Sequence, residues 1–170
     1  MQTNDIMKVE NGIVYFVVLS KGKIFLAKVD LEDWEKISES TWSVQAGSNG
    51  KALSMSAKIA GKMVKLHHLI LGKPLGGQVI DHINGYPLDN RKENLRFCTP
   101  AQNSMNRASN GRNKSGYRGV CWNKKNRCWF AHITVNGMNT YLGSFQDPYE
   151  ASLAYQRAAV QKFGEFARKI

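Results

Sequence analysis

The sequence has few of the features that mark secreted, disulfide-bonded or membrane-spanning proteins. Its 170 residues include three cysteines, Cys98, Cys121 and Cys128, an odd number with no Cys-x-x-Cys pair. This argues against a disulfide framework and against a cysteine-based zinc site, and it predicts reduced thiols. The chain has no apolar run of about eighteen residues, the length that a membrane-spanning helix needs. It also has no charged-then-apolar amino terminus. We therefore expect no membrane span, no signal peptide and a cytoplasmic protein.

Acidic residues are also few. Lys and Arg number 24 against 13 Asp and Glu, which gives a formal net charge of +11 at pH 7. Such a balance is the electrostatic footprint expected of a DNA or RNA binder, although many basic proteins bind neither. With 42% hydrophobic residues, a chain of this length can bury one good core or two small ones.

Residues 79–83 form an apolar run that is interrupted by Asp81 and His82. A carboxylate and an imidazole are costly to bury on a strand unless the protein uses them. The next dozen residues are predicted to form a loop that begins with an Asn-Gly turn at 84–85. Residues 95–98 can then return as a second short strand.

A helix start follows directly. Thr99 is a suitable N-cap, Pro100 suits the first helical position and Gln102 is placed to close a capping box. Asn103 then falls within the first turn and a half, where its side chain could face the preceding hairpin. An Asp carboxylate and an Asn carbonyl would leave most of the coordination sphere of a hard cation to phosphate oxygens and water. Such a site suits phosphodiester cleavage.

These residues resemble the HNH nucleases, whose core is a ββα finger around one metal ion, and in particular the phage-type HNH homing endonucleases. The likeness lies in Asp81-His82, in Asn94-Leu95-Arg96 and in Asn103. The resemblance implies that Asp81 and Asn103 bind the metal and that His82 is the general base. It also implies that Asn94 is the central Asn of the motif, which holds the loop and the base strand in register.

In this resemblance Asn103 replaces the final His of the HNH motif. That replacement, which also occurs in the homing branch, favours Mg²⁺ or a similar hard ion such as Mn²⁺ over zinc. Arg96, on the strand that leads into the site, is a candidate catalytic contact to the phosphate. Residues 90–92 are expected to form a solvated loop, with phosphate contact as the alternative.

The preceding segment, residues 63–72, resembles the strand-to-helix segment that comes before the finger in these enzymes. It contains His67 and His68. Histidines beside an apolar run usually pack or hydrogen-bond locally, so we assign them no direct role. Further upstream, the pattern predicts strands at 13–19 and 23–29, a helix at 31–39 and a turn at 47–50.

A second piece follows residues 107–116, which have the composition of a flexible basic linker. Beyond it we expect strands at 117–122, 129–135 and about 140–145, with an Asn-Gly hairpin at 136–137. Asp147 and Pro148 then begin a helix that covers one face of the sheet.

This second piece resembles the DNA-binding domain of the plant ethylene-response (Apetala-type) factors. The likeness lies in Tyr-Arg-Gly-Val at 117–120, in Leu-Gly-Ser-Phe at 142–145 and in residues 150–155. Cys121 and Thr134 stand where the plant domain typically has arginines, so its base preference does not transfer. The residues expected to contact DNA are Arg118, Trp122, Lys124, Lys125, Arg127, Trp129 and Tyr141. The two tryptophans could instead be core residues.

Taken together, the sequence predicts an α+β protein in which an N-terminal mixed β region leads into a ββα-metal finger. A small three-stranded antiparallel sheet packed on one helix follows. The expected division is a nuclease domain at 1–106, a linker at 107–116 and a DNA-binding domain at 117–170. The expected activity is metal-dependent cleavage of double-stranded DNA by a homing-type endonuclease, with no membrane and no protein partner. One finger makes one cut, so a monomer should nick.

Two other functions remain open. A non-catalytic, sequence-specific DNA-binding regulator would explain the charge and the C-terminal sheet, but it leaves the Asp81, His82 and Asn103 constellation without purpose. An RNA-binding module is the weaker alternative, because the sequence has no aromatic platform of the RNA-recognition type.

Overall fold

In a computed structural model, the protein is described over residues 4–47, 52–108 and 113–168. The fold is mixed α+β, with several small antiparallel sheets and few helices. The chain divides into two compact units, Met1–Pro100 and Ala101–Ile170. No helix within the described ranges is long and apolar enough to cross a membrane.

The described residues of the first unit form three antiparallel sheets. One has the order β1-β2-β3 and consists of β1 (Ile6–Glu10), β2 (Ile13–Ser20) and β3 (Lys23–Asp30), followed by helix α1 (Leu31–Ser38). A second consists of β4 (Ser43–Ala46), β5 (Ala52–Ile59) and β6 (Lys62–Lys65), followed by helix α2 (Leu66–Leu71). The third pairs β7 (Val79–His82) with β8 (Leu95–Cys98). The predicted strands at 13–19 and 23–29 and the helix at 31–39 are confirmed. The predicted turn at 47–50 falls mostly outside the described residues.

One hydrophobic core joins β2, β3, α1, β4, β5 and α2. Val14, Phe16 and Val18 of β2 are fully buried on one face, as the two-residue period of a strand predicts, and Val17 on the other face is also buried. The same cluster includes Ala27, Val29, Ile37, Trp42, Val44, Met55, Ala57, Leu66 and Leu88. Leu88 belongs to the loop between β7 and β8, so this loop is anchored in the core of the unit.

The hairpin of β7 and β8 places Asp81 opposite Arg96 and His82 opposite Leu95. Helix α3 (Pro100–Met105) begins two residues after β8 ends. The predicted second strand and the helix start at Pro100 are confirmed. The division between the two units falls just after this first helical residue, so Asn103 belongs to the second unit.

The second unit contains a three-stranded antiparallel sheet of order β11-β10-β9 and one long helix. Its elements are β9 (Val120–Asn123), β10 (Cys128–Val135), β11 (Met138–Phe145) and α4 (Pro148–Phe163). The helix starts where predicted, because Asp147 is its N-cap and accepts a hydrogen bond from the Glu150 backbone N–H at 3.0 Å. The Asn-Gly hairpin is also confirmed, with positive φ at both Asn136 and Gly137.

The first strand of this sheet starts later than the sequence predicts. Residues 117–119 form a turn, and β9 begins only at Val120. Gly119 has φ +72°, and a Cβ there would lie 2.1 Å from the ring of Tyr155. The close approach of this turn to α4 therefore requires glycine.

The linker predicted at 107–116 lies partly outside the described residues. Its described end is hydrogen-bonded: the Asn113 side-chain amide donates to the Tyr117 carbonyl at 2.6 Å, and the Ser115 hydroxyl contacts the carbonyls of Tyr117 and Val120. The residues just before β9 therefore form an ordered turn.

Candidate active site

His82 ends strand β7 and is only 9% exposed. Its Nε2 atom lies 3.1 Å from Oδ1 of Asn90, which is 1% exposed. The Asn90 amide nitrogen donates to the Pro87 carbonyl at 3.4 Å. Since an amide oxygen can only accept, Nε2 of His82 carries the proton and the basic lone pair is on Nδ1. Burial lowers the pKa of His82 below its usual value, against the opposing effects of Asn90, Asp81 and Asp89. The ring is thus held in the neutral form that a general base needs.

His67 packs against the ring of His82. It lies on α2, is 8% exposed, and its ring centroid is 5.3 Å from that of His82 in an edge-to-face arrangement. The ring of His68 contacts that of His67, with the two centroids 4.8 Å apart. Burial, followed by the charge of His82, lowers the pKa of His67 to about 3. The ring that packs against His82 is therefore neutral.

Asn94 ties the loop between β7 and β8 to the end of β7. Its side-chain amide donates to Asn84 Oδ1 at 3.1 Å and to the Asp89 carbonyl at 2.7 Å, while its own Oδ1 accepts from the Asn84 backbone N–H at 3.0 Å. The Asn94 carbonyl accepts from the Ile83 N–H at 2.8 Å. These bonds fix the loop directly beside His82.

The expectation that residues 90–92 form a solvated loop is wrong for Asn90, which is buried, whereas Arg91 is partly buried and Lys92 is exposed. The Asn90 backbone N–H donates to the Lys28 carbonyl at 2.9 Å, and the Lys28 N–H donates to the Leu88 carbonyl at 2.8 Å. The loop therefore pairs with the edge of β3, which buries Asn90. Arg91 makes two bonds to the Asp89 carboxylate, at 2.7 and 2.8 Å. The composition of this segment is typical of a turn, and its contact with the distant strand β3 could not be predicted from that composition.

Asp81 and Arg96 form a nearly buried ion pair across the hairpin. Oδ2 of Asp81 accepts from Nε and Nη2 of Arg96, at 3.0 and 2.8 Å. The two side chains are 6% and 12% exposed. The structure therefore brings four of the predicted site residues together in the first unit, namely Asp81, His82, Asn94 and Arg96.

Asn103 lies on α3 in the second unit and is half-buried. Its carbonyl accepts from the Asn106 N–H at 3.2 Å. The carbonyl end of the same helix is held by Arg118, one of the residues expected to contact DNA. Nη1 of Arg118 lies 2.9 Å from the Ser104 carbonyl and 2.7 Å from that of Met105.

The other predicted DNA contacts fall in two environments. Lys124, Lys125 and Arg127 are exposed on the turn between β9 and β10, and Trp122 and Tyr141 are about half exposed. Trp129 instead packs partly against the small core of Val120, Ala131, Ala151 and Ala154. Its ring is 5.1 Å from that of Trp122.

Two residues of this sheet, Phe130 and His132, lie beside a predicted DNA contact but were not themselves predicted from the sequence. The rings of Phe130 and His132 lie 5.2 and 5.5 Å from that of Tyr141, so the three form one aromatic cluster. The two-residue period of β10 could have indicated Phe130 and His132, since they alternate with the buried Ala131 and Ile133.

Two comparisons with known proteins show the family to which this chain belongs. A family model described as HNH endonuclease matches residues 64–105. "Uncharacterized HNH endonuclease L560" of Acanthamoeba polyphaga mimivirus is 32% identical over 162 residues, which cover 92% of this chain and 81% of the relative. The chain belongs to the HNH endonuclease family.

This HNH endonuclease is therefore a DNA-cleaving enzyme, a phosphodiester hydrolase. "Protein 3.8" of Escherichia phage T7 is also similar, with 35% identity over 92 residues that cover 54% of this chain and 75% of the phage protein. No solved structure matches the chain. The family match spans His67, the whole β7–β8 hairpin and Asn103.

HNH endonucleases generally depend on a divalent metal. Within the described ranges there is no group of three or more His, Cys, Asp or Glu side chains that could hold a metal. This excludes a closed, zinc-type cage from those ranges. Asp81 supplies a carboxylate oxygen, which is the kind of ligand that a hard divalent ion prefers.

Proposed function

We propose that this HNH endonuclease is a metal-dependent enzyme of the homing type, which hydrolyses one phosphodiester bond at a recognised site in double-stranded DNA. The observation that carries the proposal is the environment of His82. The ring is buried, neutral and oriented by Asn90, and it directly follows the carboxylate of Asp81.

In the proposed reaction, Nδ1 of His82 accepts a proton from the water that attacks phosphorus. The bond between phosphorus and the 3′ oxygen breaks, and the products carry a 5′ phosphate and a 3′ hydroxyl. Mg²⁺ or Mn²⁺ held by Asp81 and Asn103 would supply positive charge to offset the charge of the transition state. Asn94 keeps the loop in place, and Arg96 sets the position of the Asp81 carboxylate.

The ββα arrangement of the finger and the division of labour between the domains are part of the same proposal. The nuclease domain at 1–106 cuts, and the domain at 117–170, of the Apetala type, positions the enzyme on DNA. The exposed turn with Lys124, Lys125 and Arg127 supports phosphate contact, and Trp122 and Tyr141 provide exposed aromatic surface beside it. One finger per chain supports a monomer that nicks, acting in the cytosol of a host cell.

A plasmid assay tests the proposal. Supercoiled plasmid should become open circular with Mg²⁺ and remain intact in EDTA, and DNA ligase should reseal the nicks. The His82→Ala protein should nick roughly 10²- to 10⁴-fold more slowly while it binds DNA as the parent does. Cleavage that persists undiminished in EDTA would show that the metal assignment is wrong. Sequencing of nick positions should show preference for one site, and random positions would contradict the homing type.

A further inference from the structure

Arg118 is the middle residue of the turn at 117–119, which precedes β9. Its guanidinium makes three hydrogen bonds to main-chain carbonyls at and just beyond the end of α3. Nη1 lies 2.9 Å from the Ser104 oxygen, 2.7 Å from the Met105 oxygen and 2.8 Å from the Arg107 oxygen. The last carbonyls of a helix have no partner within the helix, and a cation there also offsets the negative end of the helix dipole. One guanidinium therefore closes the carboxyl end of α3.

Two further contacts hold the same end of this helix. Met105 packs against a core cluster that contains Ile133, Tyr155 and Phe163. Nη1 of Arg168, near the end of the chain, donates to the Asn106 carbonyl at 3.2 Å. The end of α3 is therefore held by β10, by helix α4 and by the last described residues of the chain.

The backbone that carries Arg118 is itself constrained. The Tyr117 carbonyl accepts from Asn113 and Ser115, and the Ser115 hydroxyl is 2.9 Å from the Val120 carbonyl. On the other side, the Gly119 carbonyl accepts from the His132 N–H at 2.8 Å, and a Cβ at Gly119 would collide with the Tyr155 ring. The guanidinium is therefore presented to α3 from an ordered turn, and it is engaged with protein carbonyls where the sequence predicted DNA contact.

We propose that Arg118 is a positioning residue for DNA cleavage: by closing the carboxyl end of α3 it fixes the orientation of Asn103, which directly precedes Ser104. This inference rests on the proposed role of Asn103 as a metal ligand. It makes the C-terminal domain part of the catalytic apparatus as well as a DNA-binding domain.

The test compares four full-length variants. Arg118→Ala removes the guanidinium, and Arg118→Lys keeps the charge and part of the hydrogen bonding. Arg157→Ala removes the same charge from an exposed position on α4 and is the matched control. Asn103→Ala removes the ligand itself.

The first measurement is amide hydrogen exchange of residues 100–107 in protein free of metal and DNA. We expect faster exchange in Arg118→Ala, partial recovery in Arg118→Lys and no change in Arg157→Ala. The second is single-site cleavage at saturating DNA. Here kcat should fall about 10- to 100-fold in Arg118→Ala, which is the usual effect of removing a residue that orients a metal ligand. KM, and the affinity for DNA in EDTA, should stay within about twofold, and Arg118→Lys should recover part of kcat.

A phosphate contact would give the opposite pattern. If Arg118→Ala leaves kcat and hydrogen exchange unchanged but weakens binding and lowers the salt slope by about one unit, the proposal is overturned. Should Arg118→Ala fail to fold, the same comparison between Arg118→Lys and the parent decides. If Asn103→Ala cleaves normally with metal, the ligand assignment fails, while the exchange result still reports whether Arg118 closes the helix.

Discussion

The Nε2 atom of His82 lies 3.1 Å from the side-chain oxygen of Asn90, and both residues are buried. This contact selects the tautomer that leaves Nδ1 basic, and it predicts a measurable role for Asn90. Asn90→Ala should lower kcat by about 10- to 100-fold, because the base loses the partner that orients it. Asn90→Asp should retain an acceptor but add a negative charge, which raises the pKa of His82.

The pH dependence of kcat distinguishes these two variants. Burial lowers the pKa of His82, so the acidic limb of the parent should lie below the usual histidine value of 6.5. Asn90→Asp should move that limb to higher pH, whereas Asn90→Ala should lower the plateau. Identical pH profiles for parent and Asn90→Asp would contradict the assignment of His82 as the base.

The Asp81–Arg96 ion pair predicts a stability effect. Arg96→Ala leaves a nearly buried carboxylate without its arginine, and loss of one partner of a buried pair costs about 3 kcal/mol. Urea unfolding should show this loss of unfolding free energy. The double variant Asp81→Asn, Arg96→Met should be less destabilised than the sum of its single variants, since the two groups interact directly. Additive losses would mean that the pair contributes no coupling.

His67 predicts acid sensitivity. Its pKa is about 3 in the folded protein, against 6.5 for a solvated histidine. The unfolded chain therefore binds the extra proton first, so this contribution to stability is complete above pH about 6.5 and is lost as the pH falls toward about 3. The loss approaches 1.4 kcal/mol per pH unit in that window.

His67→Phe is the variant that tests this prediction, since it keeps a ring against His82 but does not titrate. Urea unfolding at pH about 7 and about 5 should give a smaller difference in unfolding free energy for His67→Phe than for the parent. An equal difference in both proteins would show that His67 does not carry the acid sensitivity.

Local sequence signals predicted the elements that depend on neighbouring residues. The period of residues 13–19 predicted β2, and the Thr-Pro pair at 99–100 and the Asp-Pro pair at 147–148 predicted the starts of α3 and α4. Asn136-Gly137 predicted the hairpin, because the two-residue turns that join antiparallel strands need residues that tolerate positive φ.

The residues that hold the site side chains in place could not be predicted from local sequence. Asn90 has the composition of a turn residue whether it faces water or His82, and only pairing with Lys28, far away in the sequence, decides between the two. The contact of Arg118 with the end of α3 likewise depends on how the turn before β9 packs. Residue type thus indicated the chemistry, while tertiary contacts determined which neighbours orient it.

The exposed turn between β9 and β10 gives the last prediction. Lys124, Lys125 and Arg127 are exposed there, as phosphate contacts would be. Alanine at any one of them should weaken DNA binding in EDTA equally for specific and unrelated sequences, and it should lower the slope of log affinity against log salt by about one unit per lost contact. Cleavage at saturating DNA should be little changed. Lys162→Ala, an equal charge loss at an exposed position on α4, is the matched control and should leave the slope as it is. If Lys162→Ala and Lys125→Ala weaken binding to the same extent, attraction between DNA and the overall positive charge explains the affinity, and this turn is not a defined contact.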